Sequence, residues 1–219
     1  MFDIQLRPLK DQVFDPICKT VPQSITPLQL TFLAFITGVV SCIAAASGSP
    51  TYATIFWILN RSLDCLDGAV ARQRNQSSDL GGFLDLLSDF IIYSAIPICC
   101  TLASASASST SNLQRQWLAV TIVESTFHIN NFILFFVAAL TEKNKNVEGS
   151  RVTKELTSVS MRPALVEGAE SGALFTLMLA MPAYTESLCW LLSCGVAIGI
   201  VQRVVWVVGA LESSGGKAE

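Results

Sequence analysis

"LDCLDGAVARQRNQSSDLGGFLDLLSDF", residues 63–90, sets Asp64, Asp67, Asp85 and Asp89 into two apolar segments joined by a short polar link. Asp64 and Asp67 are three apart and Asp85 and Asp89 four apart, so each pair falls on one face of its own helix. The link from Gln73 to Asp79 turns the chain back, which lets the two helices run antiparallel and the four carboxylates converge. The stretch therefore predicts a helical hairpin with an acidic face.

The rest of the chain is oily. Of the 219 residues 51% are hydrophobic and only 14% are charged, against roughly 25% charged in soluble domains, and the mean hydropathy is clearly positive. Several windows, "LQLTFLAFITGVVSCIAAAS" at 28–47 among them, approach or exceed the ~18 mostly apolar residues that a spanning helix needs. The reading is an all-α integral membrane protein with six transmembrane helices, over 28–47, 50–72, 80–104, 116–141, 163–183 and 186–210. Loops are expected at "SGSP" near 47–50, at 73–79, in the Ser-rich stretch 104–116, in the charged stretch 142–162 and around "PAYTE" at 182–186. The spans leave little room for a soluble domain, so 1–219 reads as a single membrane-embedded domain: an interfacial helix within 1–24, a six-helix core over 28–210 and a tail at 211–219.

Phe2, Leu6, Leu9, Val13 and Ile17 recur at helical spacing with Arg7, Lys10, Asp11 and Lys19 between them, as in an amphipathic helix at a membrane surface, with Pro8 and Pro16 ending or kinking it. No charged region leads into a short apolar run with a cleavage site, so a signal peptide is not expected. Basic residues stay on the cytoplasmic side. Arg7, Lys10 and Lys19, then Arg72 and Arg74, then Lys143, Lys145, Arg151, Lys154 and Arg162 fall on one side, against Arg115 on the other. Both termini are thereby expected inside, and the aspartates at the cytoplasmic membrane face. The net charge of -3 decides little, because the charges are segregated by side, and no nucleic-acid footprint is present. The seven cysteines make no CxxC pair and read as small apolar core residues.

One charge in hydrocarbon costs about 2.5–3.5 kcal/mol on insertion scales, and clustered like charges repel and drive protonation. Arg61, Arg72 and Arg74 are too few to balance a tight group of four acids; a bound divalent ion, more readily two, resolves the conflict. All-oxygen ligands favour Mg2+, with Mn2+ as a substitute, and Mg2+ is commonly shared with substrate phosphates. Gly68 follows Asp67 directly, and Gly81 and Gly82 open the next helix, so a ligand can approach the backbone closely. Ala71 keeps the space one turn beyond Asp67 clear, and Arg72 offers a fork of donors suited to a phosphate.

Asp64, Asp67, Gly68, Ala71, Arg72, Gly81, Asp85 and Asp89 together reproduce DxxDGxxAR(x8)GxxxDxxxD, and this resembles the signature of the CDP-alcohol phosphotransferase (class-I CDP-alcohol phosphatidyltransferase) family. "ITPLQLT" at 25–31 extends the likeness, with one departure: relatives often read P-N-x-x-T, whereas Leu28 follows Pro27 here, leaving Gln29 or Thr31 to replace the missing Asn. The resemblance implies metal-dependent transfer of a substituted phosphate from a CDP-linked lipid donor to an alcohol acceptor, with release of CMP, in phospholipid biosynthesis. It implies that Asp64, Asp67 and Asp85 hold two Mg2+ ions, that Asp89 contacts a metal and takes the proton of the acceptor hydroxyl, and that Gly68, Ala71, Arg72 and Gly81, with Thr31, form the cytidine diphosphate site. It also implies a homodimer.

The compact length resembles enzymes that use CDP-diacylglycerol with glycerol 3-phosphate, inositol or an inositol phosphate; transfer from CDP-choline or CDP-ethanolamine to diacylglycerol is the alternative. Glycerol 3-phosphate is the first acceptor expected. An intramembrane prenyltransferase, with its two aspartate motifs far apart, and a cation transporter are the competing classes. Glu124, His128, Asn130 and Asn131, and Glu167 and Glu170, read first as interhelical hydrogen-bonding groups, with acceptor recognition as the sharper alternative. The basic 142–162 stretch is a further candidate for attracting a phosphorylated acceptor. Gly168 and Gly172, and Gly195 and Gly199, form GxxxG patterns that predict close helix packing.

Overall fold

A computed structural model describes residues 13–14, 16–104, 110–148 and 168–215. Helix is the only regular structure among them. After helical residues at 13–14 and 16–18 come α1 (Pro27–Ala46), α2 (Pro50–Gln73), α3 (Asp79–Ser104), α4 (Thr110–Glu148), α5 (Gly168–Ala180), a 3-10 turn (Pro182–Tyr184) and α6 (Thr185–Gly215). The amphipathic run from Phe2 to Leu9 and the basic residues Arg151, Lys154 and Arg162, with Glu167, lie outside the described residues.

Local chemistry sets the helix ends. Thr26 caps α1 in a capping box: its Oγ1 accepts from the Gln29 N–H at 3.3 Å while Gln29 Oε1 accepts from the Thr26 N–H at 2.9 Å, and Pro27 starts the helix. Gly48 ends α1 in the left-handed region at φ 75°, where the Ser49 N–H reaches back to Ala44 O at 2.9 Å and Pro50 opens α2. Asn75 does the same after α2, at φ 54°, with the Gln76 N–H donating to Ala71 O at 2.8 Å. Ser78 then caps α3 by accepting from the Gly81 N–H at 3.1 Å. The hairpin expected over residues 63–90 thus closes through two side-chain or left-handed caps.

Two loop expectations are corrected in part. Helix α4 begins at Thr110, inside the Ser-rich stretch, and runs to Glu148, beyond the span expected at 116–141. The turn at its start is stabilised from within, since Arg115 donates to Asn112 Oδ1 at 2.7 Å; a polar helix end that leaves the bilayer keeps its backbone bonds and solvates its side chains. Among the described residues four helical stretches are long and apolar enough to cross a membrane: Pro27–Ala46, Asp79–Ser104, Thr110–Leu140 and Pro182–Gly209. Helix α2 is long enough, but Arg61, Asp64, Asp67 and Arg72 break its apolar character. Helix α5, at 13 described residues, is short for a span.

The outer surface is apolar, unlike that of a soluble bundle. Phe32, Ile43, Phe83, Phe132 and Val205 are exposed on helix surfaces, as lipid contact requires, whereas Thr37, Ser41, Asn60, Thr101 and Ser193 are buried. Several buried polar groups tie helices together. Ser41 donates to Ala53 O at 2.7 Å, Asn60 Nδ2 to Ala34 O at 2.7 Å and Trp57 Nε1 to Thr176 Oγ1 at 2.8 Å. Trp57, Ile92, Ile96, Phe175, Met178, Leu179 and Leu192 fill the centre, with Trp57 and Phe175 edge-on at a centroid distance of 6.3 Å. The seven cysteines form no disulfide, and Cys18, Cys42, Cys100 and Cys189 are buried as small apolar groups.

The glycine expectation is corrected in part. A Cβ at Gly168 or Gly172 would meet nothing within 4 Å, so neither makes a close helix approach among the described residues. The tight position is Gly38 on α1, where a Cβ would stand 2.9 Å from Ile92 Cγ1 and 3.0 Å from Asn60 Nδ2. Gly38→Val is therefore expected to lower unfolding free energy by about 1–3 kcal/mol through overpacking, while Gly172→Ala is neutral or slightly stabilising. Thermal unfolding of the two variants in detergent checks this; equal stability would mean that α1 and α3 do not cross at Gly38.

Candidate active site

Helices α1, α2 and α3 meet around the acidic face. Helix α2 presents Arg61, Asp64, Asp67, Gly68, Ala71 and Arg72 in successive turns, α3 brings Gly81, Asp85, Asp89 and Tyr93 antiparallel to them, and α1 contributes Thr31. A cavity of roughly 380 Å3 opens between these helices, lined by Thr31, Asp67, Gly68, Ala71, Arg72, Gly81 and Asp85 together with Thr26, Leu28, Ser77, Ser78 and Gly82. Every residue expected to bind the nucleotide therefore lines one cavity, with two of the acids in its wall.

Each acid has a defined neighbour. Asp67, only 4% exposed, accepts a 2.5 Å hydrogen bond from Thr31 Oγ1. Asp89 is gripped by Arg61, with Nη2 at 2.5 Å from Oδ1 and Nη1 at 3.2 Å from Oδ2. Arg61 also stands 3.5 Å from Asp64 Oδ2. Asp64 and Asp85, from opposite helices, face each other within hydrogen-bonding reach.

The structure gathers the four acids into one place without closing them on one point. Among the described residues no three acids stand ready around a common centre, because Asp67 is turned to Thr31 and Asp89 to Arg61. The face-to-face approach of Asp64 and Asp85 is nevertheless what a shared cation requires: two acceptor groups directed into the same space, which repel unless positive charge or a proton lies between them. An all-oxygen set of this kind fits a hard divalent ion.

The cations divide differently from the sequence expectation. Arg74 is no counter-charge to the acids; its guanidinium donates to Ile25 O at 2.8 Å and Val21 O at 2.7 Å, pinning the segment before α1 onto the end of α2. Arg72 lines the cavity, and Gly68 leaves it room, since a Cβ there would lie 3.3 Å from Arg72 Nη1. Of the two candidates to replace the missing Asn, Gln29 spends its side chain on the Thr26 cap, whereas Thr31 reaches the site. Arg61 and Tyr93 were not expected as site residues, yet their spacing carried the signal. Arg61 lies three residues before Asp64 and Tyr93 four after Asp89, one helical turn beyond each acid on the same face.

The remaining polar residues are spread along the bundle. Glu124 on α4 contacts the Ser94 hydroxyl on α3, and Arg203 on α6 donates to Asn130 Oδ1 on α4, both interhelical bonds of the kind expected. His128 is exposed on α4.

A family model described as CDP-alcohol phosphatidyltransferase matches residues 21–205, a stretch that contains the whole acidic hairpin. The chain belongs to this family. It is accordingly a transferase of substituted phosphate groups and, with its apolar helices, a multi-pass membrane protein. It is similar to the inner membrane protein YnjF of Escherichia coli, 33% identical over 174 residues that make up 76% of this chain and 79% of that one. A shorter match joins it to an archaetidylinositol phosphate synthase of Pyrococcus horikoshii, 35% identical over 86 residues, 39% of this chain and 46% of the relative. In fold it is similar to the phosphatidylinositol phosphate synthase of Mycobacterium tuberculosis solved with CDP-DAG bound, at a TM-score of 0.62 and 18% identity over 90% of this chain and 92% of that one. The same enzyme in complex with manganese and citrate gives a TM-score of 0.61 at 20% identity, covering 86% of each chain.

Thr31 gives the site a direct test. Thr31→Val keeps the shape but removes the hydroxyl from a buried carboxylate, and is expected to lower unfolding free energy by about 1–3 kcal/mol, while Thr31→Ser recovers most of it. Thermal unfolding of both variants in the same detergent measures the difference; a stable Val variant would mean that Asp67 does not depend on this bond.

Proposed function

We propose that this protein transfers the phosphatidyl group of CDP-diacylglycerol to an inositol phosphate at the cytoplasmic face of a membrane, releasing CMP. The observation that carries the reading is the single cavity in which Thr31, Gly68, Ala71, Arg72 and Gly81 meet Asp67 and Asp85: close backbone approach, a guanidinium fork and acids side by side suit a nucleoside diphosphate.

Asp64, Asp67 and Asp85 hold the metals, two Mg2+ ions with Mn2+ as a substitute, and the manganese in the mycobacterial complex supports a divalent ion. Bound there, such ions neutralise the diphosphate and stabilise the leaving phosphate. Arg72 donates to a phosphate oxygen, Gly68, Ala71 and Gly81 keep the wall low enough for the nucleotide to lie against it, and Thr31 holds Asp67 in place. Asp89 accepts the proton of the acceptor hydroxyl as the new P–O bond forms and the P–O bond to CMP breaks. A carboxylate is a weak base at neutral pH, but it needs to take the proton only as that bond forms.

The CDP-DAG bound in the mycobacterial structure supports the donor. For the acceptor, the weight moves from glycerol 3-phosphate, the first expectation from sequence, to inositol phosphate, for which the mycobacterial and archaeal relatives are named. The same reading includes a six-span topology in one membrane domain, with α2 crossing beside α3, and an interfacial helix within 1–24. Both termini lie in the cytoplasm, on the strength of the basic residues gathered on that side. Homodimerisation, which the family resemblance implies, belongs to it as well.

Purified protein in liposomes with Mg2+ and CDP-diacylglycerol is expected to release CMP only when an inositol phosphate is added. Release with glycerol 3-phosphate alone would reassign the acceptor. No release with any alcohol, but release from CDP-choline with diacylglycerol, would reverse the roles of lipid and head group. In the same assay Asp89→Asn is expected to lose turnover by about 10^2-fold or more, whereas Asp64→Asn, Asp67→Asn and Asp85→Asn raise the metal concentration needed for half-maximal rate. Near-normal turnover in Asp89→Asn would remove it from the base role.

A further inference from the structure

Arg61 is held from several sides. Its Nε donates to Asn60 Oδ1 at 2.8 Å, its Nη1 to Tyr93 OH at 2.7 Å, and its two Nη atoms fork onto Asp89. Its plane lies over Trp57 at 4.8 Å and beside Tyr93 at 5.1 Å from the ring centroids. These partners are themselves fixed: Asn60 is 2% exposed and bonded to Ala34 O on α1, and Trp57 is fully buried and bonded to Thr176 on α5. A guanidinium gripped this way is part of the scaffold. It does not swing out to follow a ligand as a surface arginine does.

We infer that Arg61 is a positioning residue: a built-in cation that aligns the Asp89 carboxylate through its fork and offsets the charge of Asp64 and Asp89, so that the acid cluster is assembled before any divalent ion enters. The inference rests on the reading of the acids as a metal site. It separates two properties. The fork is a matter of shape, which only arginine supplies, and the charge is one that lysine also supplies. The charge has a further consequence with a definite sign. A fixed cation beside the acids repels an incoming divalent ion, so this protein binds metal less tightly than a neutral variant of the same shape, and in return folds without depending on metal.

The test is Mn2+ binding without substrate, by electron paramagnetic resonance of protein in detergent, combined with thermal unfolding with and without Mn2+ and with steady-state kinetics. Arg61→Met is expected to bind Mn2+ on the order of tenfold more tightly, to show a larger Mn2+-induced rise in Tm than the wild type, and to lose about tenfold or more in kcat. Arg61→Lys is expected to keep near-wild-type Mn2+ affinity while still losing kcat, because it restores the charge and not the fork. Tyr93→Phe removes one partner of the fork and is expected to lower kcat a few-fold, on the order of threefold, without changing Mn2+ affinity. Equal or weaker Mn2+ binding in Arg61→Met, or kcat restored in Arg61→Lys, would overturn the inference and leave Arg61 a packing residue. Should Arg61→Met not fold even with Mn2+ present, the Arg61→Lys and Tyr93→Phe results decide the alignment role alone, and full kcat in both would overturn it. If the wild type itself binds no Mn2+, the metal-site reading fails first and takes this one with it.

Discussion

Carboxylates inside an apolar bundle are the constraint on which this structure turns. Only Asp67 is buried outright, while the side chains of Asp64 and Asp89 keep 24% and 26% exposure, and an unpaired charge in hydrocarbon costs about 2.5–3.5 kcal/mol on insertion scales. Their surroundings meet that cost by different means. Asp67 is buried and takes a hydrogen bond from Thr31; Asp89 has the fork of Arg61; Asp64 shares Arg61 and faces Asp85. In the proposed reaction a divalent cation meets the charge that Asp64 and Asp85 still carry.

The architecture around the acids follows from the same solvent. With lipid outside, large apolar side chains gain little by turning inward, so Phe32, Phe132 and Val205 face out and helix contacts rely on close approach and buried hydrogen bonds. Gly38 lets α1 lie against Ile92 of α3 and beside Asn60 of α2, and Asn60 in turn holds both Ala34 O and Arg61 Nε. A chain of contacts therefore runs from a helix crossing to the base position of the proposed reaction. The scaffold and the site are one hydrogen-bonded unit.

Helices, the hairpin and the acid face were legible because they are local properties. Hydropathy over twenty residues and the i, i+3 and i, i+4 spacings depend on neighbours in sequence. Errors arose where local composition competes with continuation of a helix. The Ser-rich stretch before α4 looks like a loop, yet its Thr110–Gln116 portion is helical, since serines at a membrane edge keep their helix when side chains such as Arg115 and Asn112 bond within it. The GxxxG pattern at Gly168 and Gly172 makes no close contact among the described residues of one chain, since a small residue permits a close approach but does not compel one.

By itself, then, the sequence determined a membrane-embedded helical transferase with its acids on two faces of one hairpin, and the spacing of its eight motif residues named the chemistry. Only the tertiary structure decided which partner each acid has. Thr31 meets Asp67 across 36 residues of sequence, Arg61 meets Asp89 across 28, and Arg74, equally basic and equally near, turns away to the carbonyls of Val21 and Ile25. Helical periodicity fixes the face on which a side chain stands, but the crossing of helices fixes what stands opposite. That crossing depends on contacts such as Gly38 with Ile92, which no spacing within either helix encodes.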